Sequence, residues 1–113
     1  MVFPVKGEVI REYAKGTNDG IDMSGNAGGP IVAAASGKVA VITKDTDQIT
    51  ILVIKHPENV MTVYANLRNI KVSAGDSVSR GQHIADLPQE SPVSMHFEIR
   101  KGLDSVDPMD YLQ

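Results

Sequence analysis

The sequence predicts an all-β fold, on three observations. Apolar residues fall into short runs rich in β-branched side chains, Gly, Pro, Asn or Asp separate these runs, and no long stretch repeats with a helical period. Aromatic residues make up only 4% of the 113 residues, so aliphatic side chains must do most of the packing, which suits strands. A chain of this length is expected to form a single domain with one core.

Seven segments have strand patterns. The two weaker ones are 7–10 and 30–35, and the five stronger ones are 39–43, 49–56, 60–67, 82–87 and 94–101. Polar residues 44–48 and the Pro-containing segment 56–59 predict hairpin loops, and therefore a meander of the three strands that they connect. At the C-terminus, Asp107 can cap a short helical turn that has Pro108 at its first position.

Composition and charge exclude several classes of protein. Eleven Lys and Arg against fourteen Asp and Glu give a net charge of −3, and no basic cluster could follow a phosphate backbone, so nucleic acid is not an expected partner. No apolar run reaches the roughly 18 residues of a membrane-spanning helix, and the first four residues do not open a secretion signal. The absence of cysteine excludes disulfides, thiolate zinc sites and cysteine nucleophiles, and leaves the compartment open.

The segment 94–100 alternates without a break between apolar and polar residues. One face of this strand is therefore expected to be a row of functional groups, Ser94, His96, Glu98 and Arg100. The strand 60–67 is expected to place Tyr64 and Asn66 on a common face, so that a polar cleft could form. Residues 18–22 are expected to form a loop whose backbone holds the carboxylate of Asp22.

Each of these residues also has an ordinary structural explanation. His96 alone could be a strand histidine satisfied by local hydrogen bonds, and Asp22 could be a turn residue. Tyr64 could cover the edge of the core with its ring. His56, beside a proline in a hairpin, and His83, after a Gly-Gln turn, are interpreted as structural.

Ordered landmarks along nearly the whole chain point to one family. They are the segments 3–7, 18–22, 27–39, 53–56, 62–67, 72–82, 95–100 and 106–112. Together they resemble the LytM, or lysostaphin-like, zinc metallopeptidase domain, which cuts peptidoglycan cross-bridges. The resemblance implies a β-sandwich of the barrel-sandwich hybrid type, built on a duplicated hybrid motif, with the short helical turn at its C-terminus.

The chain departs from the active members of this family at the site. In those members the zinc is held by the His and Asp of a His-x-Gly-Ile/Val-Asp motif and by the second His of a His-x-His, while two further histidines serve catalysis. The corresponding residues here are Asn18, Asp22, His96, Ser94 and Asn66. A catalytic zinc typically needs three protein ligands and a bound water, and neither an amide nor a hydroxyl replaces imidazole as a proton carrier. The comparison therefore implies no catalytic residue, no metal and no cofactor.

The resemblance extends to degenerate members of the family, of the EnvC and NlpD type. These do not cleave peptidoglycan but activate N-acetylmuramoyl-L-alanine amidases in cell division and cell-wall remodelling. It implies a single domain, 1–113, at the C-terminal end of a longer protein of the periplasm or cell envelope. The amidase, with peptidoglycan as a second candidate ligand, would bind a degenerate-site groove formed by Asn18, Asp22, Tyr64, Asn66, Ser94, His96 and Glu98.

Three alternatives stay open on the sequence. The first is a peptidoglycan-binding module with no activator role. The second is a residual zinc endopeptidase that uses Asp22, His96 and Asn18. The third is a lipoyl, biotinyl or phosphocarrier domain, because 72–84 resembles a Gly-Asp-x-Val-x-x-Gly-Gln turn of such folds, although the chain has no Met-Lys-Met or Asp-Lys-Ala attachment tripeptide.

Overall fold

The computed structural model describes all residues from Met1 to Gln113. The chain forms ten strands and two short 3-10 helices. In order these are β1 (Val9–Arg11), β2 (Ile21–Ser24), β3 (Pro30–Val32), β4 (Gly37–Lys44), β5 (Thr50–His56), a 3-10 helix (Pro57–Asn59), β6 (Val60–Ala65), β7 (Ser77–Val78), β8 (His83–Asp86), β9 (Ser94–Lys101), β10 (Asp104–Val106) and a 3-10 helix (Pro108–Asp110). The predicted all-β fold is confirmed, and no helix has the length and apolarity to cross a membrane.

Eight strands form one antiparallel sheet: seven follow the order β1-β2-β9-β6-β5-β4-β7, and β10 pairs with β9 beside that path. Strands β3 and β8 pair in a second, two-stranded sheet. The predicted meander is present as β4, β5 and β6. Strand β9 is central, since it pairs with β6 along one side and with both β2 and β10 along the other. The capped turn is also present: Asp107 accepts a hydrogen bond from the backbone N–H of Met109 at 2.9 Å.

The core follows from alternation along the longest strands. Every second residue of β9 is buried, and Phe97 and Ile99 have no exposed surface. Ile31 of β3 and Ile84 of β8 belong to the same cluster of buried apolar residues, so the two-stranded sheet packs on the large one through this core. Full burial of each large aliphatic or aromatic side chain contributes about 1.5–3 kcal/mol.

Local structure differs from the sequence prediction around Asp22. The predicted loop 18–22 ends early, because β2 begins at Ile21 and Asp22 lies within a strand. Pairing with β9 fixes this conformation, with Ile21 opposite Phe97 and Asp22 opposite His96. The short strands β7 and β10 were not predicted, since two or three residues are too few to show a period.

Tyr64 lies on the core side of β6, so the expectation that it shares a groove face with Asn66 is wrong. Strand β6 ends at Ala65, and Asn66 has a left-handed backbone with φ of 72°, which breaks the alternation. The Tyr64 ring packs against Phe97 with ring centroids 5.3 Å apart, and burial raises the pKa of its hydroxyl to about 12. Tyr64 is therefore a core residue.

The Tyr64 hydroxyl belongs to a hydrogen-bond network inside the domain. It accepts hydrogen bonds from the backbone N–H of Ala34 at 3.0 Å and from the Thr62 hydroxyl at 2.8 Å. The ring of His56 continues the network, because Nε2 lies 2.8 Å from the Thr62 hydroxyl and Nδ1 donates to the Ser36 carbonyl at 2.7 Å. These contacts give His56 a structural position that joins β5, β6 and the segment before β4.

The substitution Tyr64→Phe is expected to destabilise the protein by about 1–3 kcal/mol, because it leaves the buried N–H of Ala34 without its partner. The free energy of unfolding in urea measures the loss. Tyr13→Phe is the matched control, since the Tyr13 hydroxyl donates to the Ser105 carbonyl at 3.2 Å from a half-buried position. Equal losses in the two variants would contradict the importance of the buried network.

Candidate functional site

The site lies on the outer face of the large sheet, where β2 and β9 pair. Their register places Asp22 opposite His96 and Ser24 opposite Ser94. The predicted polar row of β9 is present, because Ser94, His96, Glu98 and Arg100 are half-buried and alternate with the core residues of the same strand.

His96 lies between two carboxylates. Its Nδ1 is 2.6 Å from Oδ1 of Asp22, and its Nε2 is 2.8 Å from Oε2 of Glu98. A carboxylate only accepts hydrogen bonds, so both ring nitrogens donate and the ring is an imidazolium. The hydrogen bond to Glu98, followed by that to Asp22, raises the pKa of His96 above its ordinary value of 6.5 despite partial burial. The same hydrogen bond from His96 lowers the pKa of Glu98.

Two arginines and a second aspartate extend this pair of contacts. Arg100 donates to Oε1 of Glu98 from Nε at 3.0 Å and from Nη2 at 2.7 Å, and its Nη2 lies 3.7 Å from Asp19. At the other end, Nη1 of Arg11 lies 3.8 Å from Asp22. Charges of opposite sign therefore alternate along what we call the charge chain, Arg11, Asp22, His96, Glu98, Arg100 and Asp19. With His96 protonated, its net charge is zero.

Asn18 holds the loop that precedes β2. It is only 5% exposed, and its amide donates from Nδ2 to the Glu12 carbonyl at 2.9 Å. Its backbone also exchanges hydrogen bonds with Ala14, at 2.7 and 3.0 Å. Asn18 therefore stabilises the loop before β2, and its amide nitrogen is directed to the loop backbone.

Asn66 lies beside the start of β9. Its Nδ2 donates to the Ser94 carbonyl at 2.9 Å, and its Oδ1 is 3.5 Å from Nη1 of Arg68. Arg68 also pairs with Glu90 at 2.9 Å. The structure thus joins Asp22, His96 and Glu98 in one network and Asn66 with Ser94 in a second contact. Arg11 could not be predicted as a site residue, because its three-residue edge strand is bulged and shows no period.

The residues that the resemblance assigns to the metal position, in the arrangement found here, do not fit a catalytic zinc. A histidine binds a metal through a free ring lone pair, and both ring nitrogens of His96 are donors to carboxylates. Asp22 is engaged by His96 and Arg11, and Asn18 is tied to its own loop. No group of three or more His, Cys, Asp or Glu side chains is placed to hold a metal ion.

The fold and the residues of the site together define a β domain of the LytM metallopeptidase type. The model of peptidase family M23 matches residues 16–108, and the chain belongs to this family. The resemblance predicted from the sequence landmarks is confirmed.

The chain is similar over most of its length to part of a lipoprotein and part of a murein hydrolase activator. It is 38% identical to the uncharacterized lipoprotein YgeR of Escherichia coli, covering 98% of this chain and 46% of that protein. It is 33% identical to the murein hydrolase activator NlpD of Escherichia coli, covering 97% of this chain and 30% of that protein. The chain therefore spans less than half the length of these relatives.

A solved peptidase has the same architecture. A zinc-containing peptidase from Vibrio cholerae superimposes with a TM-score of 0.84 and 27% identity, covering 95% of this chain and 38% of that one.

The pKa of His96 predicts a pH-dependent contribution to stability. Because its pKa is raised in the folded state, the contribution is fully present below about pH 6.5 and is lost as the pH rises through the raised value. Relative to His96→Gln, the wild-type protein is expected to be more stable by about 1–3 kcal/mol near pH 6 and by clearly less near pH 9. Urea unfolding of both proteins at the two pH values measures the difference.

The variant Glu98→Gln serves as the control, because it removes the largest cause of the raised pKa and keeps the size of the side chain. In this variant an NMR titration should give a lower pKa for His96 than in the wild type. An unchanged pKa, or a stability difference that is the same at both pH values, would show that His96 is not held as an imidazolium.

Proposed function

We propose that the chain is a non-catalytic M23 domain that activates a peptidoglycan amidase of the N-acetylmuramoyl-L-alanine type. In this proposal it is one domain of a longer protein of the cell envelope, on the periplasmic side. Its groove, formed by Asn66, Ser94 and the charge chain, binds the amidase, and peptidoglycan is a possible second ligand.

The observation that carries the proposal is the engagement of His96 by Asp22 and Glu98. An M23 peptidase needs a metal that lowers the pKa of a bound water and histidines that move protons. In this proposal the hydrogen-bonded ion pairs of His96 replace the metal, and Ser94 and Asn66 take the places of the family's catalytic histidines. These substitutions remove both requirements for hydrolysis.

The relatives support an activating role. The murein hydrolase activator NlpD shares the whole domain with this chain, and YgeR and NlpD-type relatives are named lipoproteins, which supports a place in the cell envelope. An activator raises the activity of its partner only if it binds the active conformation more tightly than the inactive one. A half-exposed row of fixed hydrogen-bonding groups can provide that preference.

A dye-release assay on labelled peptidoglycan tests the function. The chain alone is expected to release no dye, with or without added zinc, while the chain together with its amidase should release dye at least about tenfold faster than the amidase alone, a coupling of ordinary size. Release by the chain alone would contradict the non-catalytic proposal. Binding to sacculi without any gain in amidase rate would instead favour a peptidoglycan-binding module.

The variant Ser94→Arg tests the groove. Ser94 is half-buried beside Asn66, and an arginine there should block close approach of the partner and reduce stimulation by about tenfold or more. Ser79→Arg is the matched control, because Ser79 is exposed in the turn after β7, at the opposite edge of the sheet. Equal stimulation by the two variants would place the interface elsewhere.

A further inference from the structure

The outer face of the large sheet carries an aliphatic strip next to the charge chain. The strip consists of Val41 on β4, Ile51 and Val53 on β5, and Met61, Val63 and Ala65 on β6. Val41 is 45% exposed and the other five are half-buried. None of the six belongs to the core or to the apolar residues packed against it. The strip is therefore a partly exposed apolar surface outside the core.

Strand register makes the aliphatic strip continuous with the candidate site. Val41 lies opposite Val53, and Val53 lies opposite Val63. Val63 in turn lies opposite Glu98 of the charge chain. In the neighbouring row, Ala65 lies between Ile51 and His96. A partner that reaches the charge chain can therefore extend over the aliphatic strip without a gap.

Two lysines border the aliphatic strip. Lys38 of β4 lies directly opposite Lys55 of β5, and Lys55 lies opposite Met61. Both lysines are exposed, and none of the ion pairs of the structure includes either one. Like charges directly opposite on neighbouring strands, with Cβ atoms about 5 Å apart, repel each other. A carboxylate placed between them would relieve that repulsion.

We propose that the aliphatic strip and the Lys38–Lys55 pair form a docking surface for a protein segment that carries apolar side chains beside carboxylates. The apolar side chains would cover the strip, and the carboxylates would lie between the two lysines. The carboxylates of the charge chain cannot neutralise the lysines from within, because His96 and the arginines already engage them. The surface is thus complementary in charge to an acidic segment.

The chemistry of the face favours a peptide over a glycan. Sugar rings stack on aromatic rings, and all five aromatic residues lie in the core or pack against it: Phe3, Tyr13, Tyr64, Phe97 and Tyr111. Aliphatic side chains match apolar peptide side chains, whose removal from water drives association. The proposal rests on the proposed function in one respect, since the acidic segment is taken to belong to the amidase.

The test measures the Kd of the purified chain for its purified amidase, together with amidase stimulation, at about 50 and 300 mM salt. The variant Lys38→Glu/Lys55→Glu should weaken binding by about tenfold or more at low salt and remove most of the salt dependence. The control Lys6→Glu/Lys101→Glu changes the net charge equally at exposed positions outside the strip, and should bind like the wild type. Val53→Thr/Val63→Thr, which keeps β-branching, should weaken binding by about tenfold at both salt concentrations.

The outcomes separate the two proposals. Wild-type chain that neither binds nor stimulates the amidase would overturn the proposed function and this docking surface together. Stimulation that both strip variants retain in full would overturn the docking surface alone and leave the function standing. Sedimentation that shows a wild-type dimer, lost in the valine variant, would assign the strip to a second copy of the chain. If the Lys38→Glu/Lys55→Glu variant unfolds at a lower temperature than the wild type, the Lys55→Gln variant replaces it. Weaker binding by Lys55→Gln, together with wild-type binding that weakens with salt, would support the docking surface, and an unchanged Kd in both measurements would overturn it.

Discussion

The alternation of β9 is the constraint on which the rest of the structure depends. One face of this strand supplies Met95, Phe97 and Ile99 to the core, and the other presents His96, Glu98 and Arg100 to the site. A shift of one residue in its pairing would exchange the two sets and bury charges in the core. The fold therefore fixes the positions of the site residues with the same packing that stabilises the core, because β2, β6 and β10 all pair with this strand.

The charge chain balances the negative charge of two carboxylates that lie close together, Asp22 and Glu98. Two carboxylates that converge on one point repel each other unless a cation lies between them. Here the imidazolium of His96 lies between the two carboxylates, and Arg11, Arg100 and Asp19 at the two ends bring the net charge to zero. A hydrogen-bonded imidazolium has a fixed direction for each proton, so the site is rigid and closed where a metal site would keep an open position.

Much of the fold and part of the site could be predicted from the sequence. The unbroken alternation of 94–100 defined both faces of β9, and the spaced landmarks defined the family. The prediction that the side chains of Tyr64 and Asn66 share one strand face failed, because the left-handed backbone of Asn66 interrupts the two-residue alternation of the strand. The aliphatic strip also could not be predicted, because the sequence does not distinguish a valine on an outer sheet face from a valine in the core. Only strand register distinguishes Val53 from its buried neighbour Ile54.

The pairing of charges within the site has a consequence for how a partner is recognised. A neutral, internally satisfied charge chain attracts a distant charged ligand only weakly, and deleting any one of its members leaves that member's partner unpaired. It can therefore contribute shape and fixed hydrogen-bond geometry but little attraction during encounter. The unpaired lysines at the far side of the aliphatic strip carry the uncompensated charge of this face, and the apolar area between them and the site contributes non-directional affinity. In the proposed complex, attraction, affinity and geometric selection come from three adjacent parts of one sheet surface.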